Sequence, residues 1–144
     1  MSLVESHPLI KRYITHNHFG NLIDLKLIIH SKGEIEYRVT VQDKHLATPV
    51  AAHGGFLAAL LDATVGVGAL TLVCENDQIV STINLNTTFL TAVYQGDELS
   101  STSRLVKKGN RILFMEATVV NQDGIEVAKA SACLNIYPKE KGGY

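Results

Sequence analysis

The chain has 144 residues, the usual size of one domain, and a formal net charge of −1. With 46% hydrophobic and 19% charged residues, it is expected to fold around one core rather than to be disordered. The near-neutral charge excludes a general attraction to nucleic acid or to an anionic membrane. The N-terminal segment lacks the apolar stretch of a signal peptide, and the two cysteines have no paired spacing, so we expect a cytoplasmic protein.

The first part of the chain is predicted to form a short helix and a hairpin. Apolar residues recur at helical spacing over residues 5–16, and a loop completes an N-terminal segment of residues 1–20. Residues 22–30 are mostly apolar and β-branched, and residues 34–41 alternate between apolar and polar types. This pattern is typical of two strands joined by a turn.

One long apolar segment, residues 51–74, separates this hairpin from the rest of the chain. It is apolar or small from Phe56 to Val73, and Asp62 is its one charged residue in that stretch. An apolar helix of this length either spans a membrane or is enclosed by protein. The central Asp62 and the internal Gly66 and Gly68 favour an enclosed helix, so no membrane association is predicted.

Four strand-like runs follow, at residues 79–90, 97–106, 112–120 and 125–137. Their short connections predict an antiparallel meander, with Gly109 suited to positive φ at the hairpin tip and a frayed tail at residues 138–144. The whole pattern predicts one α+β domain over residues 1–144. A curved antiparallel sheet of about five to six strands is expected to wrap around one long buried helix, with a short N-terminal helix in addition.

Helical spacing divides the long helix into a small face around Asp62 and a bulky face opposite. The small face carries Gly55, Ala58, Ala59, Gly66 and Ala69, and the bulky face carries Phe56, Leu57, Leu60, Thr64, Val67 and Thr71. The bulky face suits packing into the sheet, whereas the small face allows a ligand or a second helix to approach closely. A carboxylate among apolar side chains is costly unless it is paired or hydrogen-bonded, so a structural and a catalytic role for Asp62 are both open.

The sequence His53-Gly54-Gly55 stands at the start of this helix. Free N–H groups in a first helical turn attract negative charge, and a flexible capping loop is the alternative interpretation. Gly54 and Asp62 are about 12 Å apart along a helix, whereas an oxyanion donor and a nucleophile or base must both lie about 3 Å from the reacting carbonyl. If the two residues act together, Asp62 must face the His53-Gly54-Gly55 segment of a second subunit, in an antiparallel pair of helices related by two-fold symmetry.

These features together resemble the hotdog-fold acyl-CoA thioesterases of the phenylacetic-acid-degradation (PaaI-type) group. The resemblance covers about residues 22–136 and includes HGG, Asp62 nine residues after His53, the strand 82–90, and the hairpin 107–111 with Phe114 beyond it. It implies a hotdog fold and hydrolysis of acyl-CoA or aryl-CoA thioesters to the free acid and CoA. It further implies no cofactor beyond the coenzyme A of the substrate, and a homodimer with a continuous sheet that often pairs into a homotetramer.

The resemblance also implies roles for individual residues. Asp62 corresponds to the catalytic carboxylate, acting either as nucleophile or as the base that activates water. The Gly54 N–H of the partner subunit corresponds to the oxyanion donor, His53 to an orienting histidine, and Thr82 to a hydroxyl that positions water. Ala47 departs from the family pattern, because some members carry an Asn there that positions the nucleophilic water.

A further set of residues is predicted to contact coenzyme A. Lys107, Lys108 and Arg111 are candidates for its phosphates, with a solvated charged hairpin as the alternative. Asn84 and Asn86 are predicted to share a face with Thr82 and to line the cleft, together with Gly55. The remaining histidines have no metal-ligand spacing with Cys or carboxylates, so no metal is predicted.

Two other functions are compatible with the sequence. One is a hotdog dehydratase or hydratase acting on acyl thioesters, whose members carry a proline-rich stretch around the histidine; here Ala51-Ala52 precede His53 and no proline follows it. The other is a non-catalytic protein that binds acyl-CoA or an aromatic ligand, which Ala47 leaves open.

Overall fold

The computed structural model describes residues 3–143 of the chain. In order, its main elements are α1 (Pro8–His16), α2 (His18–Leu22), β1 (Lys26–Ser31), β2 (Glu34–Thr40), α3 (Gly54–Val73), β3 (Gln78–Phe89), β4 (Glu98–Lys108), β5 (Ile112–Val120) and β6 (Glu126–Pro138). The predicted α+β class, the hairpin and the long central helix are confirmed.

The six strands form one antiparallel sheet in the order β1-β2-β4-β5-β6-β3. Only β4, β5 and β6 follow one another as a meander. The prediction of a meander over all four later strands was wrong for β3, which pairs with β6 at the far edge of the sheet. Residues 90–97 carry the chain from this edge across to β4, which lies beside β2.

The sheet curves around α3 and buries its bulky face. All six residues predicted for that face are buried. Gly68 explains how closely the helix approaches the sheet, because a Cβ atom at this position would lie 2.5 Å from Ser103 Oγ on β4. That hydroxyl is fixed in place, since it donates to the Gly33 carbonyl at 2.8 Å and accepts from the Ile35 N–H at 3.0 Å.

The helix α1 packs across the open side of the curved sheet. Its buried Leu9 and Ile10 form one cluster with Leu70 and Cys74 near the end of α3 and with Ile79 on β3. The sheet therefore encloses most of α3, and α1 covers the C-terminal half of the side that the sheet leaves open.

Several predicted boundaries near the N-terminus were wrong. The helix predicted from residue 5 begins at Pro8, because the His7 side chain caps it by accepting from the Leu9 N–H at 3.2 Å. The loop predicted after it contains the short helix α2, which the Asn17 side chain caps by accepting from the Gly20 N–H at 3.0 Å. The strand predicted from residue 22 therefore begins only at Lys26.

Two expectations near the other hairpins also differ. Gly109 does not have positive φ; the glycines that do are Gly33, Gly96, Gly124 and Gly143. Instead of a frayed segment from residue 138, the structure shows a 3-10 turn over Lys139–Gly142. Lys139 ties this turn to Asp77 through its backbone N–H at 3.0 Å and its ammonium group at 2.8 Å. Tyr144 lies outside the described residues.

By length and composition alone, the helical stretch Gly54–Asn76 could cross a membrane, but 67% of its most apolar window is buried inside the protein. The sheet and α1 provide the apolar surroundings that this helix requires.

Candidate active site

Asp62 lies midway along α3, on the face that the sheet leaves uncovered. Its carboxylate oxygen Oδ1 accepts a hydrogen bond from Thr82 Oγ1 on β3 at 2.7 Å. Within the described residues, Oδ2 has no such partner. In the single chain Asp62 is exposed rather than enclosed by apolar side chains, and its small-residue neighbours Ala58 and Ala59 are only half-buried. The structure thus presents one free carboxylate oxygen at an open surface.

A cavity of about 320 Å³ begins at Asp62 and extends along α3 beneath α1. Its wall is about half polar, and the apolar and aromatic side chains in it are Tyr13, Ala63, Leu70, Ile79, Val80 and Tyr137. Gly66 borders it one turn after Asp62, and a Cβ atom there would meet nothing within 4 Å. The two internal glycines of α3 therefore differ: Gly68 allows close packing on the sheet, whereas Gly66 leaves space next to the carboxylate.

His53 caps the start of α3. Its Nδ1 atom accepts from the Gly55 N–H at 2.7 Å, so the proton of the neutral ring must be on Nε2. A Cβ atom at Gly55 would lie 2.9 Å from this Nδ1 atom. Gly55 is therefore needed for the cap itself, and its N–H is already used.

The adjacent Gly54 N–H has no acceptor among residues 3–143. Gly54 is the first residue of α3, where the aligned peptide dipoles give the helix end a partial positive charge. A Cβ atom here would be in ordinary contact with the Phe89 ring, at 3.6 Å from Cζ. Gly54 thus offers a free, positively polarised donor beside an exposed aromatic ring.

The HGG segment and Asp62 do not meet within one chain. Both lie on α3, and eight residues separate Gly54 from Asp62, which corresponds to about 12 Å of helix. One small reacting group cannot touch both groups of the same chain.

His45 is a residue that the sequence interpretation missed. It is buried, its ring stacks on Phe56 with 4.1 Å between ring centroids, and its backbone carbonyl accepts from the His53 N–H at 2.8 Å. Its Nδ1 accepts from the Gln42 N–H at 3.0 Å, which leaves Nε2–H to donate to the Ile23 carbonyl at 3.0 Å. Burial lowers the pKa of His45, so a neutral ring fixes the start of α3. In the sequence, His45 stands in an irregular segment with no pattern that marks it as a core residue.

The position that departs from the family pattern lies in a compact loop before α3. Ala47 is exposed, and its N–H donates to the Ala51 carbonyl at 2.9 Å. The neighbouring Thr48 hydroxyl accepts from the Ala51 N–H at 2.9 Å and from the Val50 N–H at 3.3 Å. Thr48 is thus engaged in shaping this loop, and Ala47 offers no polar side-chain atom.

The prediction that Thr82, Asn84 and Asn86 share one face of β3 was wrong. A β-bulge at Ile83 inserts one extra residue into β3, so Thr82 pairs with Leu134 whereas Asn84 pairs with Cys133. One extra residue moves every later side chain to the other face of the sheet. Thr82 faces α3, and the two asparagines face outward, away from the cavity that holds Asp62.

The predicted basic hairpin exists and is exposed, with Lys107 and Lys108 at the end of β4 and Arg111 in the turn. The Lys108 ammonium donates to the Leu72 carbonyl at 3.2 Å. This contact places the hairpin near the C-terminal end of α3, ten residues or about 15 Å of helix from Asp62. The three cations therefore do not contact Asp62 in one chain.

A second polar region lies on the outer face of the sheet, around Glu36. This carboxylate is buried and accepts from Arg38 Nε at 2.7 Å, Ser100 Oγ at 2.7 Å and the His30 ring at 2.9 Å. The bond from Arg38 is the main reason that the pKa of Glu36 falls to about 2. Within the described part of the chain, no group of three or more His, Cys, Asp or Glu side chains is arranged to hold a metal ion.

Comparison with known proteins gives consistent matches. A family model described as the thioesterase superfamily matches residues 51–128. A Saccharolobus solfataricus protein described as a candidate esterase is 27% identical over 108 residues, which are 75% of this chain and 75% of that protein. The structure of the Escherichia coli PaaI protein from the phenylacetic acid degradation operon matches with a TM-score of 0.82 and 19% identity, over 93% of this chain and 95% of that chain. A Streptococcus mutans protein bound to acetyl CoA matches with a TM-score of 0.71 and 27% identity, over 80% and 90% of the two chains.

The family model spans more than half of the chain and includes α3, Asp62 and Thr82. The central helix and the six-stranded sheet that curves around it match the neighbouring structures over nearly their full length. The chain therefore belongs to the thioesterase superfamily and has the hotdog fold, as its resemblance to the PaaI-type thioesterases predicted.

Proposed function

We propose that this protein hydrolyses acyl-CoA thioesters, including aryl-CoA thioesters, to the free acid and CoA. The observation that carries the proposal is the Asp62–Thr82 pair, which leaves one carboxylate oxygen free at the mouth of a cavity. Membership of the thioesterase superfamily and the relative bound to acetyl CoA support this choice of substrate class.

In the proposed reaction, Thr82 holds the Asp62 carboxylate through Oδ1, and Oδ2 acts on the thioester carbonyl. Oδ2 either attacks the carbonyl carbon directly or takes a proton from a water molecule that attacks it. In both routes the carbonyl oxygen gains negative charge, which a preorganised N–H group stabilises. The bond between the carbonyl carbon and sulfur then breaks. In the water route, the proton that Oδ2 took passes to the sulfur, CoA leaves as the thiol and the acid is released. In direct attack, CoA leaves as the thiolate, and water then hydrolyses the anhydride between Asp62 and the acyl group to the free acid.

The N–H group in this proposal is Gly54 of a second subunit, because the two groups cannot meet within one chain. Two α3 helices that pair antiparallel around Ala58 and Ala59, the half-buried residues between Gly54 and Asp62, would form two equivalent sites by two-fold symmetry. The edge strand β3 supports this arrangement, because a strand at a sheet edge can pair with another chain and its Ile83 side chain is 56% exposed. We propose a homodimer with one continuous sheet, which pairs further into a homotetramer.

Substrate binding extends beyond the reacting group. We propose that Lys107, Lys108 and Arg111 bind the phosphates of coenzyme A, because they form an exposed basic cluster. The reaction needs no further cofactor, and we propose that it takes place in the cytoplasm.

The first test compares thiol release from acyl-CoA by the wild type and by Asp62→Asn, with Asp123→Asn as the control. Asp123 lies in an exposed turn after β5, so its variant should keep full activity. Asp62→Asn should lose nearly all activity while it keeps the oligomeric state of the wild type. Full turnover by Asp62→Asn would contradict the mechanism. A wild type that binds acyl-CoA without turnover would indicate a binding protein, and hydration of an enoyl-CoA would indicate a hydratase.

The second test asks whether two subunits share one site. Chains with Asp62→Asn and chains with Gly54→Pro, which lack the Gly54 N–H, are unfolded, mixed and refolded together. Random pairing makes half of the dimers mixed, and each mixed dimer has one intact site, so about a quarter of wild-type activity should return. If the two groups acted within one chain, the mixture would stay inactive.

The third test separates the two routes for Asp62. A single turnover with an excess of enzyme over substrate is run in ¹⁸O-labelled water. Label in the Asp62 carboxylate requires an anhydride that is opened at its Asp62 carbonyl, whereas activation of water labels the released acid alone. Because water can also open the anhydride at the acyl carbonyl, the same turnover is repeated with hydroxylamine, which converts an anhydride of Asp62 to a hydroxamate. Mass spectrometry of the peptide that contains Asp62 detects both products, and their absence would favour activation of water.

A further inference from the structure

The cavity beside Asp62 continues well past the reacting carboxylate. Along α3 it extends from Asp62 past Gly66 to Leu70, a helical distance of about 12 Å. Beyond Asp62 and Thr82, the side chains that border it are apolar or aromatic, while tyrosine hydroxyls and backbone groups add polar surface. These side chains favour an apolar part of the substrate in this space.

Residues of α1 and of the C-terminal turn also border the cavity. They are Tyr13 of α1, Tyr137 at the end of β6 and Gly142 of the turn. The Tyr13 hydroxyl lies 3.4 Å from the hydroxyl of Tyr37, which is only 1% exposed. The Tyr13 ring itself packs against both buried clusters of the core. The wall at Tyr13 is thus anchored in the core.

The size of the cavity limits what fits. Its volume of about 320 Å³ is at the lower end of the range of roughly 300–1,000 Å³ found for ligand pockets. Gly66 contributes to this space because it has no side chain, and a Cβ atom there would project into the open. A compact group such as one aromatic ring or a short alkyl chain matches this space, whereas a long acyl chain would meet Tyr13.

We infer that this cavity takes the acyl group of the substrate, and that Tyr13 of the N-terminal helix sets the upper limit of acyl size. The inference rests on the proposed thioesterase function and assigns it a substrate class: thioesters of compact apolar acids. In this arrangement the thioester carbonyl lies at Asp62, the acyl group points toward Tyr13, and the CoA moiety remains outside.

The test measures kcat/KM for acetyl-, hexanoyl-, decanoyl- and benzoyl-CoA. The variants are Tyr13→Ala, Tyr13→Phe and the control Ile14→Ala. Ile14 is the exposed neighbour on the same helix and does not border the cavity. Tyr13→Ala should raise the ratio of decanoyl- to hexanoyl-CoA activity by about 10-fold or more, since methylene groups that gain a pocket are worth about that much. Tyr13→Phe keeps the ring and should keep the wild-type ratio, as should Ile14→Ala.

A second variant acts in the opposite direction and does not disturb α1. Gly66→Val fills the space next to Asp62, so it should lower hexanoyl- and benzoyl-CoA activity by about 10-fold relative to acetyl-CoA. An unchanged acyl profile in both Tyr13→Ala and Gly66→Val, with an active wild type, would overturn the assignment of the cavity. A wild type that hydrolyses none of the four thioesters would instead refute the proposed function.

Discussion

Replacing Gly54 by proline removes one backbone N–H from the start of α3 while the helix stays intact. Gly54 is the first residue of the helix, a position that proline favours. The preceding His53 has φ −70 and ψ 133, in the extended region that a following proline requires. The Gly54 N–H has no acceptor among residues 3–143, so folding loses no hydrogen bond.

The expected effects on stability and on activity have opposite signs. Proline at a compatible position restricts the unfolded chain and stabilises a protein by about 0.4–1 kcal/mol. Loss of one oxyanion donor lowers kcat by about 10²- to 10³-fold, or roughly 2.7–4 kcal/mol of transition-state stabilisation. Gly54→Pro should therefore melt at or above the wild-type temperature and yet be nearly inactive.

Gly54→Ala is the matched control, because it keeps the N–H and its Cβ would be 3.6 Å from the Phe89 ring, an ordinary contact. Thermal unfolding and thiol release are measured for both variants and the wild type. The reasoning is refuted if Gly54→Pro is folded and hydrolyses acyl-CoA within threefold of Gly54→Ala. A proportional loss of activity in both variants would indicate a steric effect near Phe89 instead.

Three further predictions concern the strand beside the site, the helix packing and the outer face of the sheet. Thr82→Val should lower kcat for acyl-CoA hydrolysis about 10- to 100-fold with little change in KM, because it removes the hydrogen bond to the Asp62 carboxylate. In the same assay, Thr88→Val on the outward face of the strand should leave kcat unchanged. Gly68→Ala should destabilise the protein by about 1–3 kcal/mol in urea unfolding, because its Cβ would lie 2.5 Å from a side-chain oxygen of β4; Gly66→Ala, which faces open space, should not. The pKa of Glu36 is lowered from 4.5 to about 2. Ionised Glu36 should therefore add about 3 kcal/mol to the free energy of unfolding above pH 4.5, and this contribution should be lost as the pH falls toward 2. In urea unfolding measured across this pH range, the Glu36→Gln variant should lack this part of the acid dependence.

The sequence predicted the elements whose signals are local. The long helix is confirmed within a few residues, and its bulky face is buried as its spacing indicated. Strand β5 has the predicted bounds, and the first hairpin pairs as predicted. In these segments hydrophobic periodicity, turn residues and packing all favour the same structure, so any one of these signals predicts the element.

The features that the sequence did not predict depend on distant contacts. A connection of eight residues after β3 suits either a hairpin loop or a crossing to another strand, and only the pairing of β3 with β6 decides. The bulge leaves no compositional signal, because Thr82 and Ile83 are both good strand formers. His45 gains its role from the Phe56 ring and the His53 N–H, which the fold brings to it.

The bulge at Ile83 also makes the length of β3 as important as its composition. Thr82 before it belongs to the catalytic side, and Asn84 and Asn86 after it belong to the outer surface. Deleting Ile83 would leave Thr82–Leu134 and Asn84–Cys133 as consecutive pairs of a regular ladder, so Thr82 would stay on the side of the helix and both asparagines on the outer surface. Deleting a paired residue such as Leu85 would instead turn every later side chain of the strand to the other surface, so Ile83 is the position of β3 where a deletion should be tolerated best.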